Sequence, residues 1–156
     1  MLKEILDKST CSKCRICCSF VKDDAWETPV FTSEKIDYKK PWFKCIGENS
    51  HTLKFSFKDE KEIKLCPYLD ENTGCILKED EKPVDCKMWP LRVMKKDGDL
   101  YLTLAPFCKG ITVEHIPKIK NMLDNGLREK IRENLVNDMI KEYEKEYIII
   151  EKSDIY

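Results

Sequence analysis

The sequence predicts an α+β fold: a small cysteine-rich, metal- or cluster-binding domain with short hairpins and a C-terminal amphipathic helical region. Three observations carry that expectation. Nine cysteines stand among 156 residues, four of them within Cys11-Ser-Lys-Cys14-Arg-Ile-Cys17-Cys18. Strand-like alternation around turn residues runs from Leu53 to Leu104, and after Gly110 an apolar residue recurs at every fourth position. The expected division is residues 1–110 for the cysteine-cluster domain and 111–156 for a helical extension packed on it.

In chain order, Leu2, Ile5 and Leu6 predict a helical turn leading into the cysteine loop, and Thr32 or Ser33 can cap a helix through Tyr38. Leu53, Phe55 and Phe57, then Ile63 and Leu65, alternate about Lys58-Asp59-Glu60-Lys61 and predict a hairpin. A second hairpin is expected over Val93–Leu104, because Asp97-Gly98 supplies the two positive-φ positions of a tight turn. Ile119, Leu123, Leu127, Ile131, Leu135, Met139, Tyr143 and Tyr147 give the helical texture. A strict four-residue step drifts by about 40° each time on a 3.6-residue helix, so Gly126 is expected to divide the segment in two.

The four clustered thiols predict a metal or cluster site. Thiolate is the soft ligand selected by zinc and by iron-sulfur clusters, and two-residue gaps let a turning backbone aim sulfurs at one centre. The run also matches the opening of the bacterial ferredoxin pattern, but its fourth element, a Cys four positions on and followed by Pro, is replaced by the adjacent Cys18. Neighbouring side chains diverge by about 100° on a helix and 180° on a strand, so Cys17 and Cys18 are not expected to serve one centre equally. Cys66, Cys75, Cys86 and Cys108 are each framed by turn-formers: Pro67, Gly74, Pro83 with Pro90, and Pro106 with Gly110.

Composition bounds the class. The N-terminus carries no apolar signal region, so a cytoplasmic location is expected, where clustered thiols stay reduced and serve metal or redox chemistry. Lys plus Arg is 28 and Asp plus Glu is 29, interspersed, which points to no nucleic acid and no anionic membrane. The apolar runs are too short for a membrane span. No Ser-His-Asp order, P-loop or dinucleotide fingerprint is present, and the sequence does not decide whether the chain is itself an enzyme. His51 and His115 read as surface or hydrogen-bonded residues, Cys45 as a buried small hydrophobe or else a redox-sensing thiol, and Asp85 as an orienting group for Cys86 or a turn cap.

The run Cys11–Cys18, with Cys66-Pro67, Cys75-Ile76 and Pro83-Val84-Asp85-Cys86 ending at Trp89-Pro90, resembles the zinc- or iron-chelating cysteine-cluster family called YkgJ-like. The resemblance spans residues 11 to about 110. It departs at Ile76-Leu77, Lys82-Pro83 and Cys86-Lys87-Met88-Trp89-Pro90, where the family often has Ile-Tyr, Arg-Pro and Cys-Arg-x-Phe-Pro. Lys is a point charge rather than a planar fork, which weakens any bidentate anion recognition at Lys82. A related cysteine pattern in flagellin lysine N-methylases implies a modification role.

Two functions follow as expectations. In one, an iron-sulfur protein, with a 4Fe-4S cluster favoured, transfers electrons or serves a modifying enzyme. In the other, zinc in closed four-thiolate sites holds a structural module whose partner is a protein. The ligand set is Cys11, Cys14, Cys17, Cys18, Cys66, Cys75, Cys86 and Cys108, eight thiols that divide into two four-thiolate sites, with Cys45 left over.

Overall fold

A computed structural model describes residues 1–6, 8–22 and 28–153 of the chain. It mixes helix and sheet, in agreement with an α+β class. Its contacts divide the chain into two compact units, a continuous one, Lys8–Cys86, and one made of Met1–Asp7 with Lys87–Tyr156.

The continuous unit is built from short pieces. Helix α1 spans Lys8–Cys14, so Cys11 and Cys14 lie on a helix rather than in the expected loop. Arg15 adopts the left-handed conformation at φ 57° and ends it, and Ile16–Cys18 forms one 3₁₀ turn. Strand β1 (Ser19–Phe20) follows, then β2 (Phe43–Cys45), β3 (His51–Leu53), β4 (Lys64–Leu65), β5 (Leu69–Asp70) and β6 (Gly74–Cys75). They pair antiparallel as β1 with β4, β2 with β3, and β5 with β6. Helix α2 covers Val84–Met88. Core is supplied by Phe20, Val30, Phe31, Ile36, Phe43 and Leu53, all under 10% exposed. Phe31 meets the edge of Phe43 at 5.1 Å, and Phe20 stacks on Phe55 at 5.2 Å.

Two sequence expectations fail in this unit. The turn at 58–62 forms, with the Asp59 carboxylate accepting the Lys61 and Glu62 amides at 2.8 and 3.1 Å. Its flanks do not zip together, because Leu53 is taken by Phe43 and Leu65 by Ser19. Residues 33–38 make turns instead of a helix. The Ser33 hydroxyl accepts the Lys35 amide at 3.3 Å and the Asp37 carboxylate accepts the Lys39 amide at 3.1 Å, local bonds that compete with helix propagation.

The second unit holds a four-stranded sheet. Strands β7 (Leu91–Lys96) and β8 (Asp99–Leu104) form the expected hairpin, with Asp97 at φ 52° and Gly98 at φ 87°. This is the double positive-φ geometry whose twist suits flanking strands. Helices α3 (Ile116–Met122) and α4 (Arg128–Asn134) are joined through a kink at Asn125-Gly126, where Gly126 takes φ 105°, so the chain divides where predicted. Ile119, Leu123, Leu127 and Ile131 are buried as one stripe.

Beyond α4 the helical expectation is overturned. Strand β9 (Lys141–Glu142) joins β7 in parallel, β10 (Ile148–Lys152) joins β8 antiparallel, and the sheet order is β10-β8-β7-β9. The β-branched run Ile148-Ile149-Ile150 favours the pleated surface, and both edges of the hairpin had main-chain groups to satisfy. Tyr147 is buried, but ahead of a strand rather than on a helix. The Arg128 guanidinium grips the Glu151 carboxylate with two bonds of 3.1 Å and reaches Asp124 at 3.2 Å, tying α4 to β10.

Candidate metal or cluster centre

The cysteine arm is assembled by α1 and the turn after it. The Arg15 amide donates to Cys11 O at 3.2 Å, and the Cys18 amide and Ser19 hydroxyl donate to Arg15 O at 3.0 and 2.9 Å. These bonds curl residues 11–19 so that Cys17 and Cys18 lie side by side. The Cys66 amide donates to Cys18 O at 2.8 Å, which continues directly into the β1–β4 pairing and fixes Cys66 next to Cys18.

Cys75 reaches the same place through the β5–β6 hairpin, where it faces Leu69. The turn between these strands is organised by the Asp70 carboxylate, which accepts the Asn72 and Thr73 amides and the Thr73 hydroxyl at 2.8–2.9 Å. Gly74, at φ 85°, lets the hairpin approach α1: a Cβ there would stand 3.4 Å from that of Ser12. Cys86 comes from α2, whose first turn is anchored by the buried Asp85 accepting the Val30 amide at 2.8 Å. Asp85 thus ties α2 to the main chain at Val30 and also bears on Cys86 as a like charge.

Electrostatics put six thiols in one neighbourhood. Cys17 interacts with Cys18, Cys86 and Cys11, Cys66 with Cys18 and Cys75, and Cys86 with Cys18 and Cys66. Cys17 and Cys18 share a hydrogen bond. It holds the proton on Cys17, raising that thiol, and favours thiolate on Cys18, lowering it. Burial pushes Cys66 up to about 12 against a backbone hydrogen bond from Tyr68 that favours its thiolate. Burial also carries Cys86 well above the ordinary thiol range. Lys82 lies among them: burial opposes its charge, but Cys75, Cys86 and Cys11 outweigh burial and hold the ammonium on.

Six soft donors with a cation beside them suit a thiolate-bound metal or cluster by donor chemistry. Among the described residues, however, no three His, Cys, Asp or Glu side chains converge tightly enough to hold a metal ion as they stand. The thiols are neighbours, several held protonated, and a bound metal must displace those protons and draw the sulfurs in.

Cys14 ends α1, half-buried, and Cys108 is buried in the second unit. Cys45 corrects an expectation: it is exposed on β2 and donates to Gly47 O at 3.0 Å, because it sits where the β2–β3 hairpin runs out into solvent. His115 accepts the Thr112 amide at 3.1 Å and caps a turn, as a hydrogen-bonded residue should. His51 is half-buried and stacked on Tyr38 at 3.8 Å. Sequence reasoning passed over Arg15, although a tight reversal between Cys14 and Cys17 was implied by the spacing.

No family model, curated protein or solved structure matches the chain. No helix among the described residues is long and apolar enough to cross a membrane.

Proposed function

We propose that the chain is an iron-sulfur cluster-binding protein, with a 4Fe-4S cluster as the resident group, serving electron transfer or a modifying enzyme. The observation that carries this reading is the gathering of Cys11, Cys17, Cys18, Cys66, Cys75 and Cys86, scattered over the sequence, into one electrostatic neighbourhood within Lys8–Cys86. A domain that merely needed small buried side chains has no reason to group six thiols in one place, whereas a thiolate-bound metal or cluster requires it.

Cys17, Cys18, Cys66 and Cys86 are the inner four of that network, with Cys11 and Cys75 at its margins; of the other two expected ligands, Cys14 is on α1 and Cys108 belongs to the other unit. Such a cluster supplies one-electron chemistry when bound. The chain's own contribution is to hold the sulfurs, to offset their charge with Lys82, and to direct the Tyr68 amide at Cys66, a bond that stabilises negative charge on sulfur. The resemblance to the YkgJ-like family belongs to the same proposal.

Anaerobic purification followed by absorption spectroscopy and iron, sulfide and zinc analysis tests it. A brown protein with equal iron and acid-labile sulfide is expected. A colourless protein loaded with zinc retires the redox role in favour of a zinc-bound interaction module.

A further inference from the structure

We infer that Arg15 is a positioning residue, the clasp that sets the distance between the α1-side thiols and the thiols of the β4–β6 segment. This deepens the thiolate-centre reading above and rests on it. Among the connections that join Cys11–Cys18 to the segment bearing Cys66 and Cys75, three stand out. The first is the Cys66 amide on Cys18 O, at 2.8 Å. The second is the close approach of Gly74 to Ser12. The third is the Arg15 side chain: Nε donates to Ser12 O at 3.0 Å while Nη2 donates to Glu71 O in the β5–β6 turn.

The third is made by a side chain, and it spans both bodies at once. A guanidinium presents its donors in a rigid fork, so fixing one arm on Ser12 O aims the other. The Asp70 carboxylate beside that turn supplies a favourable charge. The backbone gives an independent sign of purpose. Arg15 holds φ 57° and ψ 4°, a conformation costly for a residue with a Cβ and one where glycine carries no penalty. A glycine there would make the turn more readily, but it would leave Ser12 O and Glu71 O without their shared donor. An arginine at a position that backbone geometry offers to glycine is explained by what its side chain does.

The two roles separate experimentally, because Arg15→Gly keeps the turn and removes the clasp, whereas Arg15→Lys keeps the charge and loses the fork. Cobalt(II) is the probe for the reduced protein, since its thiolate absorption reports the ligand set. Loss of an outer residue that orients metal ligands typically weakens metal affinity by about 10- to 100-fold. That range is expected for Arg15→Gly, together with a displaced thiolate absorption band per bound cobalt, and Arg15→Lys should recover little of either. A merely structural role would lower the thermal midpoint and leave the band of the bound fraction in place, and that result overturns the inference.

A metal-independent measurement covers failure of the underlying reading. A monoarsenical that bridges two thiols, followed by peptide mapping, should join a thiol of Cys11–Cys18 to Cys75 more often in the parent protein than in Arg15→Gly, because the clasp holds the β5–β6 turn while Cys66 keeps its own main-chain bond to Cys18. If the parent protein takes up no cobalt, the thiolate-centre reading fails, and the bridging pattern alone decides on Arg15. Identical patterns in parent and variant overturn the clasp.

Discussion

Cys17 and Cys18 illustrate how one residue's place differs from its neighbour's. Adjacent on a 3₁₀ turn, they share a hydrogen bond that keeps the proton on Cys17, and the carbonyl of Cys18 also carries the main-chain bond from Cys66. Cys17→Ser or Cys18→Ser should therefore alter the spectrum or potential of a bound cluster, because a hydroxyl is a hard and poorly ionised substitute for thiolate. Cys45→Ser should leave the spectrum unchanged, and now stability as well, since that thiol is exposed. Equal losses at all three positions, measured in anaerobic samples, would disprove the ligand assignment. Gly74 makes a second residue-level test. At φ 85° with Ser12 close by, Gly74→Ala is expected to cost about 1–3 kcal/mol in chemical denaturation, because an alanine is strained there whatever room surrounds it.

At the scale of elements, the β5–β6 turn depends on a carboxylate. The Thr73 and Asn72 amides and the Thr73 hydroxyl hold Asp70 below the usual aspartate range. A lowered folded value stabilises the turn fully above the ordinary aspartate range and is lost as pH falls through the lowered value. The amide resonances of Asn72 and Thr73 should shift together in that acid window, and Asp70→Asn should remove the shift. Legibility in the sequence tracked how local the determining interactions are. Asp97-Gly98 encodes its hairpin within two residues, and Gly126 encodes its kink alone, so both were readable. Strand β1 pairs with β4 far along the chain, Ser19 with Leu65 and Phe20 with Lys64, next to a bond between Cys18 and Cys66 that no local pattern announces. Tyr143 and Tyr147 kept a helical rhythm in sequence, yet the open edges of the β7–β8 hairpin decided their conformation. Likewise the cysteines stood out as candidate ligands by type and spacing, while Lys82 and Arg15 joined that neighbourhood only through tertiary contacts.

Over the whole molecule, the unit Lys8–Cys86 is notable for how little regular structure it has: its strands are two or three residues long. A structural metal contributes on the order of 10 kcal/mol, comparable with the entire stability of an ordinary domain. Chelation should thus lower the thermal midpoint and flatten the near-ultraviolet dichroism. Retention of both after stripping would show that the fold does not depend on the metal. Uptake should in turn release protons, since Cys17, Cys66 and Cys86 are held as thiols, and apparent affinity should rise with pH.

The continuous unit is nested in sequence within the other, which resumes only at Lys87. On a ribosome adding about 5–20 residues per second, everything from Lys8 to Cys86 has been synthesised before β7 begins, and on the order of several seconds more pass before β10 is complete. Under the proposed thiolate centre, iron or zinc delivered in that interval would meet Cys11 to Cys86 on a nascent chain before the sheet is complete, so loading those thiols would not wait for the sheet.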